Sequence, residues 1–376
     1  MIEPYKRERP APRTVGILGA SGRVFGEANP EVVYVTMDRA RAMLVAGEGQ
    51  AITWNADPIR YQYGDVEAIV IRGDVPDTDR ELIDGLVRWR DYMGAHGARI
   101  ASLGSSAWSL LRASITEPIR TSLGPYPPLR GVVGGRQEQV RPAGTYVDCE
   151  HHDLQASYPA TLARLRYGGA WSYTPELSSL SQIERLAGAG VPVYVSAEVT
   201  LRGDGPGPLP RRPRGRRHPA ESILLPVSYP RRGVLHGFWT APEVVAAASL
   251  GHRVKVRDVW AHGSARASFA RWWELIEGAR GLDGFAGTLG KLTGNALWGQ
   301  LAISQGDRAI LTFRGGRRRV RSAPLGGHGR PRMFDLAEYV TGSVRARLLR
   351  ELIVPAGRSL IAAHTDGGWK IGRAHV

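Results

Sequence analysis

The feature that most constrains this chain is the run LIAAHTDGGW at residues 360–369. An apolar, strand-like segment is delivered straight into Thr365-Asp366 and a Gly-Gly pair, so the chain must reverse there as a hairpin. Such a turn exposes the Asp366 carboxylate beside open backbone, and Gly367 and Gly368 let another backbone approach closely. A routine Asp-Gly hairpin gives the same pattern. The run therefore needs companions before it implies chemistry.

Two other segments supply them. In DLQASYPATL, Asp153 ends a strand and Tyr158-Pro159 opens a helix. A carboxylate at a strand terminus is well placed to hold a hard cation. In KLTGNALWGQL, Lys291, Asn295 and Trp298 or Gly299 fall at i, i+4 and i+7 or i+8, on one helical face. A cation, an amide and a ring on one face suit a nucleotide. Lysine occurs only at Lys6, Lys255, Lys291 and Lys370, among 50 basic residues. A lysine kept at position 291 in so arginine-rich a chain points to a need for a compact point charge.

The 376 residues are 43% hydrophobic and 23% charged, a soluble globular composition with room for two or three domains. No apolar run reaches the length of a membrane span, and MIEPYKRERPAPR has no apolar core of a secretory signal. Cys149 is the only cysteine, which excludes a disulfide framework and a multi-cysteine zinc site and fits a reducing compartment. The net charge of +15, carried almost wholly by arginine, favours a polyanionic partner. A GC-rich coding sequence inflates Arg, Ala and Gly together, but does not by itself unbalance bases and acids.

TVGILGAS, EVVYVTMD and VEAIVIRGD read as short buried strands. In DTDRELIDGLVRWRDYMGAHG, Leu82, Leu86, Trp89 and Met93 form an apolar helical stripe that Gly94 can end. A Pro/Gly-rich connector, EPIRTSLGPYPPLRGVVGG, marks a boundary. The Pro/Arg-rich residues 203–232 read as a mobile basic loop, and RGGRRRVR as a second basic turn between two strands. Gly16, Gly19 and Gly22, with Asp38 further on, resemble a dinucleotide fingerprint. Gly26 and Pro30 break the helix which that site needs, so a plain strand-turn-strand is favoured over an NAD-dependent oxidoreductase. Cys149, His151, His152 and Asp153 suggest a transition-metal cluster, but strand alternation puts His152 on the opposite face from the other three.

Taken in order, the three segments resemble the motifs of family B DNA polymerases, in the phage and organellar-plasmid branch. DLQASYP is similar to motif A (D-x-x-S-L-Y-P), KLTGNALWG to motif B (K-x-x-x-N-S-x-Y-G) and HTDG to motif C (D-T-D-S). RGVVGGRQE resembles the Y-x-G-G element ahead of motif A. The likeness covers about residues 130–369 and is loose from 60 to 130.

The resemblance implies an α+β fold: a right-hand polymerase palm (antiparallel sheet with helices) and helical fingers, without a thumb, preceded by a reduced α/β exonuclease-like region. It implies a basic leader at 1–13, the exonuclease-like region at 14–130 and the first part of the palm at 131–202. Basic loop and fingers follow at 203–300, and the second part of the palm at 301–369. The implied activity is template-directed addition of dNTPs to a primer 3′-hydroxyl, using two Mg2+ (or Mn2+) ions about 4 Å apart. Asp153, Asp366 and the Leu154 carbonyl would hold the metals. Tyr158, Lys291, Asn295, Trp298 and Arg280 would bind the dNTP; Gly134, Gly135, Arg136 and Gly299 would contact DNA. Primer-template DNA and dNTPs are the implied partners, with a priming protein as a further one and no membrane, and the implied location is cytoplasmic, at a viral or host replication site.

The departures from the pattern are specific. His364 replaces the first acid of motif C, the serine of motif A is displaced by one position, and Trp298 and Ala296 replace Tyr and Ser in motif B. They motivate a second reading, a non-catalytic DNA-binding remnant. No D-x-E occurs in residues 1–60, so no proofreading is expected. Asp79 is either a remnant of the last exonuclease motif or, preferably, an acid at a helix N-terminus. Lys370–Val376 has no place in the family and matches the translation of a sequencing adapter. It is expected to be non-biological, leaving the motif C hairpin without its second strand.

Overall fold

The computed structural model describes residues 13–18, 32–36, 44–45, 66–71, 79–99, 103–115, 135–142, 144–167, 170–203, 205–211, 227–263, 267–302, 307–314, 317–324 and 333–371. Gly19, Gly22, Asp38, Gly134 and residues 372–376 of the expected tail lie outside them. The chain divides into two compact units: Met1–Thr116 with Ala270–Gln300, and Glu117–Phe269 with Leu301–Val376.

The first unit holds β1 (Arg13–Leu18), β2 (Val32–Thr36), β3 (Leu44–Val45) and β4 (Val66–Ile71), in the order β3-β2-β1-β4. The three expected strands form, but β1 and β2 are parallel. That corrects the plain strand-turn-strand, because parallel neighbours need a crossover rather than a turn. β3 and β4 pair antiparallel to their neighbours, so the doubly wound parallel sheet of a dinucleotide fold does not form.

The described residues of this unit also form the helices Asp79–Ala95, Leu103–Ser114, Ala270–Arg280 and Phe285–Ala302. Leu86, Trp89 and Met93 are buried, as the stripe requires. The Trp89 indole donates to Thr293 Oγ1 at 3.0 Å and the Tyr92 hydroxyl to the Leu275 carbonyl at 2.9 Å. These two bonds fix the first helix against the last two. Asp79 is the first residue of its helix.

The second unit contains β5 (Arg136–Gln139), β6 (Cys149–Asp153), β7 (Arg166–Tyr167), β8 (Trp171–Tyr173), β9 (Val193–Arg202), β10 (Arg232–Thr240) and β11 (Arg253–His262). β12 (Ala267–Ser268), β13 (Asp307–Arg314), β14 (Arg317–Pro324), β15 (Leu360–Thr365) and β16 (Gly367–Ile371) follow. Two four-stranded antiparallel sheets dominate, ordered β10-β9-β11-β8 and β5-β15-β16-β6. β13 and β14 form the hairpin that closes at the second basic turn.

Alternation along β9 buries Val193, Val195, Ala197, Val199 and Leu201 against a cluster that includes Ile183, Val244 and Ala247 from the helices Leu180–Gly188 and Ala241–Ser249. A third helix, Phe334–Leu348, is tied to Ala241–Ser249 by buried charge. Arg345 Nε donates to Glu243 Oε1 at 2.8 Å, and its Nη2 to Glu338 Oε1 at 2.7 Å. Glu243 Oε2 also caps its own helix through the Thr240 amide and hydroxyl, at 3.2 and 2.8 Å.

Two expectations are corrected here. The ends of the 203–232 loop are anchored: Leu209 is fully buried, the Trp239 indole donates to the Pro210 carbonyl at 3.1 Å, and Arg211 bridges Ser228. The hairpin of residues 360–369 also has its second strand. β16 pairs with β15 on one side and with β6 on the other, and places Lys370 opposite Glu150 and Ile371 opposite Cys149.

Candidate active site

The β5-β15-β16-β6 sheet gathers the two acids and the Gly-Gly element. Gly367 lies opposite Asp153, and the Leu154 amide donates to the Asp366 carbonyl at 2.9 Å, extending the ladder to the turn. Asp153 and Asp366 therefore end adjacent strands. The reversal itself is made by Thr365 and Asp366, while both glycines belong to β16. That corrects the expected Gly-Gly turn. Thr365 takes the left-handed conformation (φ 59°), strained for a β-branched residue. A Cβ on Gly367 would stand 2.7 Å from the His152 carbonyl oxygen and 3.0 Å from Asp153 Oδ1, so the glycine admits the neighbouring strand and its carboxylate.

Behind Asp366 lies a contact the sequence did not announce. The Ser157 hydroxyl, buried at the start of the helix Ser157–Ala163, donates to Asp366 Oδ2 at 2.6 Å. Ala156, left-handed at φ 48°, turns the chain from β6 into this helix. The only advance sign was the serine displaced by one position.

Gly135 joins three motifs at one point. A Cβ there would lie 2.9 Å from Thr365 Cα, Thr365 Cγ2 and the Tyr158 hydroxyl. Burial, with the nearby Asp366 charge, raises the Tyr158 phenol above its ordinary value, so it stays neutral. Arg136, expected to contact DNA, is buried in this structure. It is 1% exposed, its guanidinium pairs with Glu138 and lies 4.0 Å from the Tyr229 ring centroid. Tyr229 comes from the anchored end of the basic loop.

Apart from Tyr158, the nucleotide-binding candidates sit in the other unit. Lys291 and Asn295 are exposed on the Phe285–Ala302 helix, Trp298 and Gly299 are half-buried, and Leu289, Thr293 and Leu297 form the buried face. Arg280 ends the preceding helix and its guanidinium lies 5.7 Å from the Trp273 ring centroid. A Cβ on Gly290 would meet the Arg280 amide nitrogen at 2.7 Å, so the absence of a side chain brings Arg280 and Lys291 into neighbouring positions.

Asp153, Asp366 and the Leu154 carbonyl offer only oxygen donors, which suits a hard cation such as Mg2+. Among the described residues, no group of three or more His, Cys, Asp or Glu side chains is arranged to hold a metal ion. His152 Nε2 lies 2.9 Å from Glu150 Oε2, and the His151 ring 4.7 Å from that of Trp369, so both histidines have local partners. His364 is exposed, with Nδ1 3.2 Å from Thr365 Oγ1. No helix among the described residues is long and apolar enough to cross a membrane.

No family model matches the chain, and no curated protein matches it. Solved structures do. Phi29 DNA polymerase complexed with single-stranded DNA aligns at 12% identity and TM-score 0.48, over 78% of this chain and 51% of that one. An orthorhombic crystal form of the same polymerase aligns at 13% and 0.49, over 93% and 67%. The ternary complex of Phi29 DNA polymerase with primer-template DNA and incoming nucleotides aligns at 13% identity and TM-score 0.51, over 91% of this chain and 66% of that one. This chain thus spans between half and two thirds of the length of the structures it resembles, and its mixture of helices and antiparallel sheet has, by its likeness to the ternary complex, a distant polymerase-like fold.

Proposed function

We propose that this chain is the catalytic region of a template-directed DNA polymerase of family B, phage type, which extends a primer 3′-hydroxyl with dNTPs. The observation that carries the reading is the pairing of β16 with β6, which sets Asp153 and Asp366 at the ends of adjacent strands, with Ser157 bonded to Asp366.

Asp153, Asp366 and the Leu154 carbonyl are the residues to hold Mg2+. The ions, when bound, activate the primer hydroxyl and stabilise the pyrophosphate leaving group. Asp366 would receive them with one oxygen already fixed by Ser157. Lys291 and Arg280 supply positive charge for the triphosphate, and Asn295 and Trp298 orient the nucleotide. Tyr158, neutral, packs against the incoming sugar and disfavours a 2′-hydroxyl. Gly135 leaves room for that phenol and for the Thr365 turn, each of which a Cβ there would meet at 2.9 Å.

Primer extension with Mg2+ and dNTPs is the test. Asp153→Asn and Asp366→Asn should each abolish extension, by at least a hundredfold. Extension at the wild-type rate by either variant overturns the assignment. His364 in place of an acid favours the second reading, a DNA-binding remnant. DNA binding by the wild type without any incorporation would select it.

A further inference from the structure

One surface lies outside this site. The β10-β9-β11-β8 sheet buries one face in its core, and its other face can be read row by row from the register. Arg232 lies opposite Arg202; Val234, Thr200 and Arg253 form the next row; His236, Glu198 and Lys255 the third; Phe238, Ser196 and Asp258 the fourth. Thr240, Tyr194, Trp260 and Tyr173 form the last row, its Thr240 and Tyr194 buried and its Tyr173 exposed at the edge strand β8. A register shift between Val256 and Asp258 adds Arg257, whose Nη2 reaches Glu198 Oε2 at 2.7 Å on the same face.

Arg202, Arg232, Arg253, Lys255 and Arg257 are all exposed there, with His236, against two carboxylates. Glu198 is engaged by Arg257 and His236, and the Arg257 hydrogen bond holds its carboxyl below the ordinary value. Asp258 accepts from the Tyr173 hydroxyl at 3.1 Å. Among the described residues, Arg202, Arg232 and Arg253 have no carboxylate partner.

A merely solvated face would hide its apolar groups, and this one does not. Val234 is 51% and Tyr173 48% exposed, two of the five large apolar side chains exposed among the described residues. The Tyr173 ring lies 5.5 Å from that of Trp260, so two aromatic rings are paired at the edge of the sheet. From Arg253 to Trp260 the strand runs roughly 20–24 Å, a span of several nucleotides.

We infer that this sheet face binds single-stranded nucleic acid, its cations tracking the phosphates and the Tyr173–Trp260 pair stacking an unpaired base. Duplex DNA satisfies the cations but offers no exposed base face. The surface lies on a different sheet from Asp153 and Asp366, and its binding needs no metal.

The test is fluorescence anisotropy of the full chain in EDTA, titrating labelled oligo(dT) and a duplex of equal length over a range of salt. The triple variant R232A/R253A/K255A should bind oligo(dT) at least about tenfold more weakly. Its log K against log salt should be shallower by about 2, since each lost single-strand phosphate contact removes about 0.7. Tyr173→Ala should weaken oligo(dT) binding by about five- to twentyfold, leaving the salt slope and duplex binding unchanged. Tyr173→Phe, which keeps the ring and loses the Asp258 bond, should bind as the wild type. Unchanged affinity and slope in the triple variant overturn the inference. So does an equal loss on duplex for Tyr173→Ala, or a loss in Tyr173→Phe as large as in Tyr173→Ala. Asp153→Asn should bind oligo(dT) normally, so a failure of the polymerase reading registers separately, in primer extension.

Discussion

His262 offers the clearest energetic test of the fold. It is 3% exposed, and among the described residues neither ring nitrogen has a hydrogen-bond partner. Its ring stacks on Tyr167 at 4.4 Å and meets Trp171 edge-on at 5.0 Å. Burial pushes its pKa from 6.5 down to about 4. The imidazole is neutral in the fold, whereas the unfolded chain takes up a proton below pH 6.5. The unfolded state therefore binds more protons between these values, and stability falls as the pH drops from 6.5 towards 4. A gap of about 2.5 units is worth about 3 kcal/mol in full, and about 2.5 kcal/mol by pH 4.5.

Asp335 lies in the same cluster, accepting from the Trp171 indole at 2.6 Å and the Tyr167 hydroxyl at 3.1 Å. Burial raises its pKa, so acidification acts on it with the opposite sign and masks part of the loss. His262→Phe keeps Asp335 and removes only the imidazole. Urea unfolding of the wild type and this variant at pH 7.5 and 4.5 isolates the term: the wild type should lose about 2.5 kcal/mol more than the variant. Equal losses, or an imidazole that titrates near 6.5 by NMR, refute the reasoning.

Ser157→Ala leaves Asp366 Oδ2 without its donor and should lower the extension rate about tenfold, with a raised Mn2+ dissociation constant by electron paramagnetic resonance and partial recovery in Ser157→Thr. Gly135→Ala forces a Cβ against Thr365 and Tyr158, and should cost about 1–3 kcal/mol in urea unfolding together with loss of extension. Arg345→Met strands Glu243 and Glu338 in the core and should destabilise by about 3–5 kcal/mol, read as a lower melting temperature.

Local signals carried much of this structure. Three N-terminal strands, the Leu86–Trp89–Met93 stripe and the Lys291–Asn295 helix follow from periodicity, which sequence displays directly. What was hidden is non-local. Ser157 meets Asp366 across 209 residues, and no spacing rule reports such a bond. Arg136 looked like a surface cation, because its burial depends on Glu138 two residues on and on Tyr229, which arrives from a distant loop. The Gly-Gly pair looked like a turn because turns are the commonest use of adjacent glycines. Its actual use, admitting the Asp153 strand, requires knowing that β6 lies alongside.

β16 is the only strand between the two that carry the acids: β15 leads into Asp366 on one flank, and β6 ends at Asp153 on the other. The acids are held in register by these five residues, two of them glycines, together with the bonds from the Leu154 amide and the Ser157 hydroxyl to Asp366. Fraying of that short strand would leave the Leu154 and Ser157 bonds to Asp366 as the remaining link between the carboxylates. A ligand that holds both acids together would stabilise this link, so the amides of Gly367–Ile371 should exchange with solvent more slowly when the site is occupied.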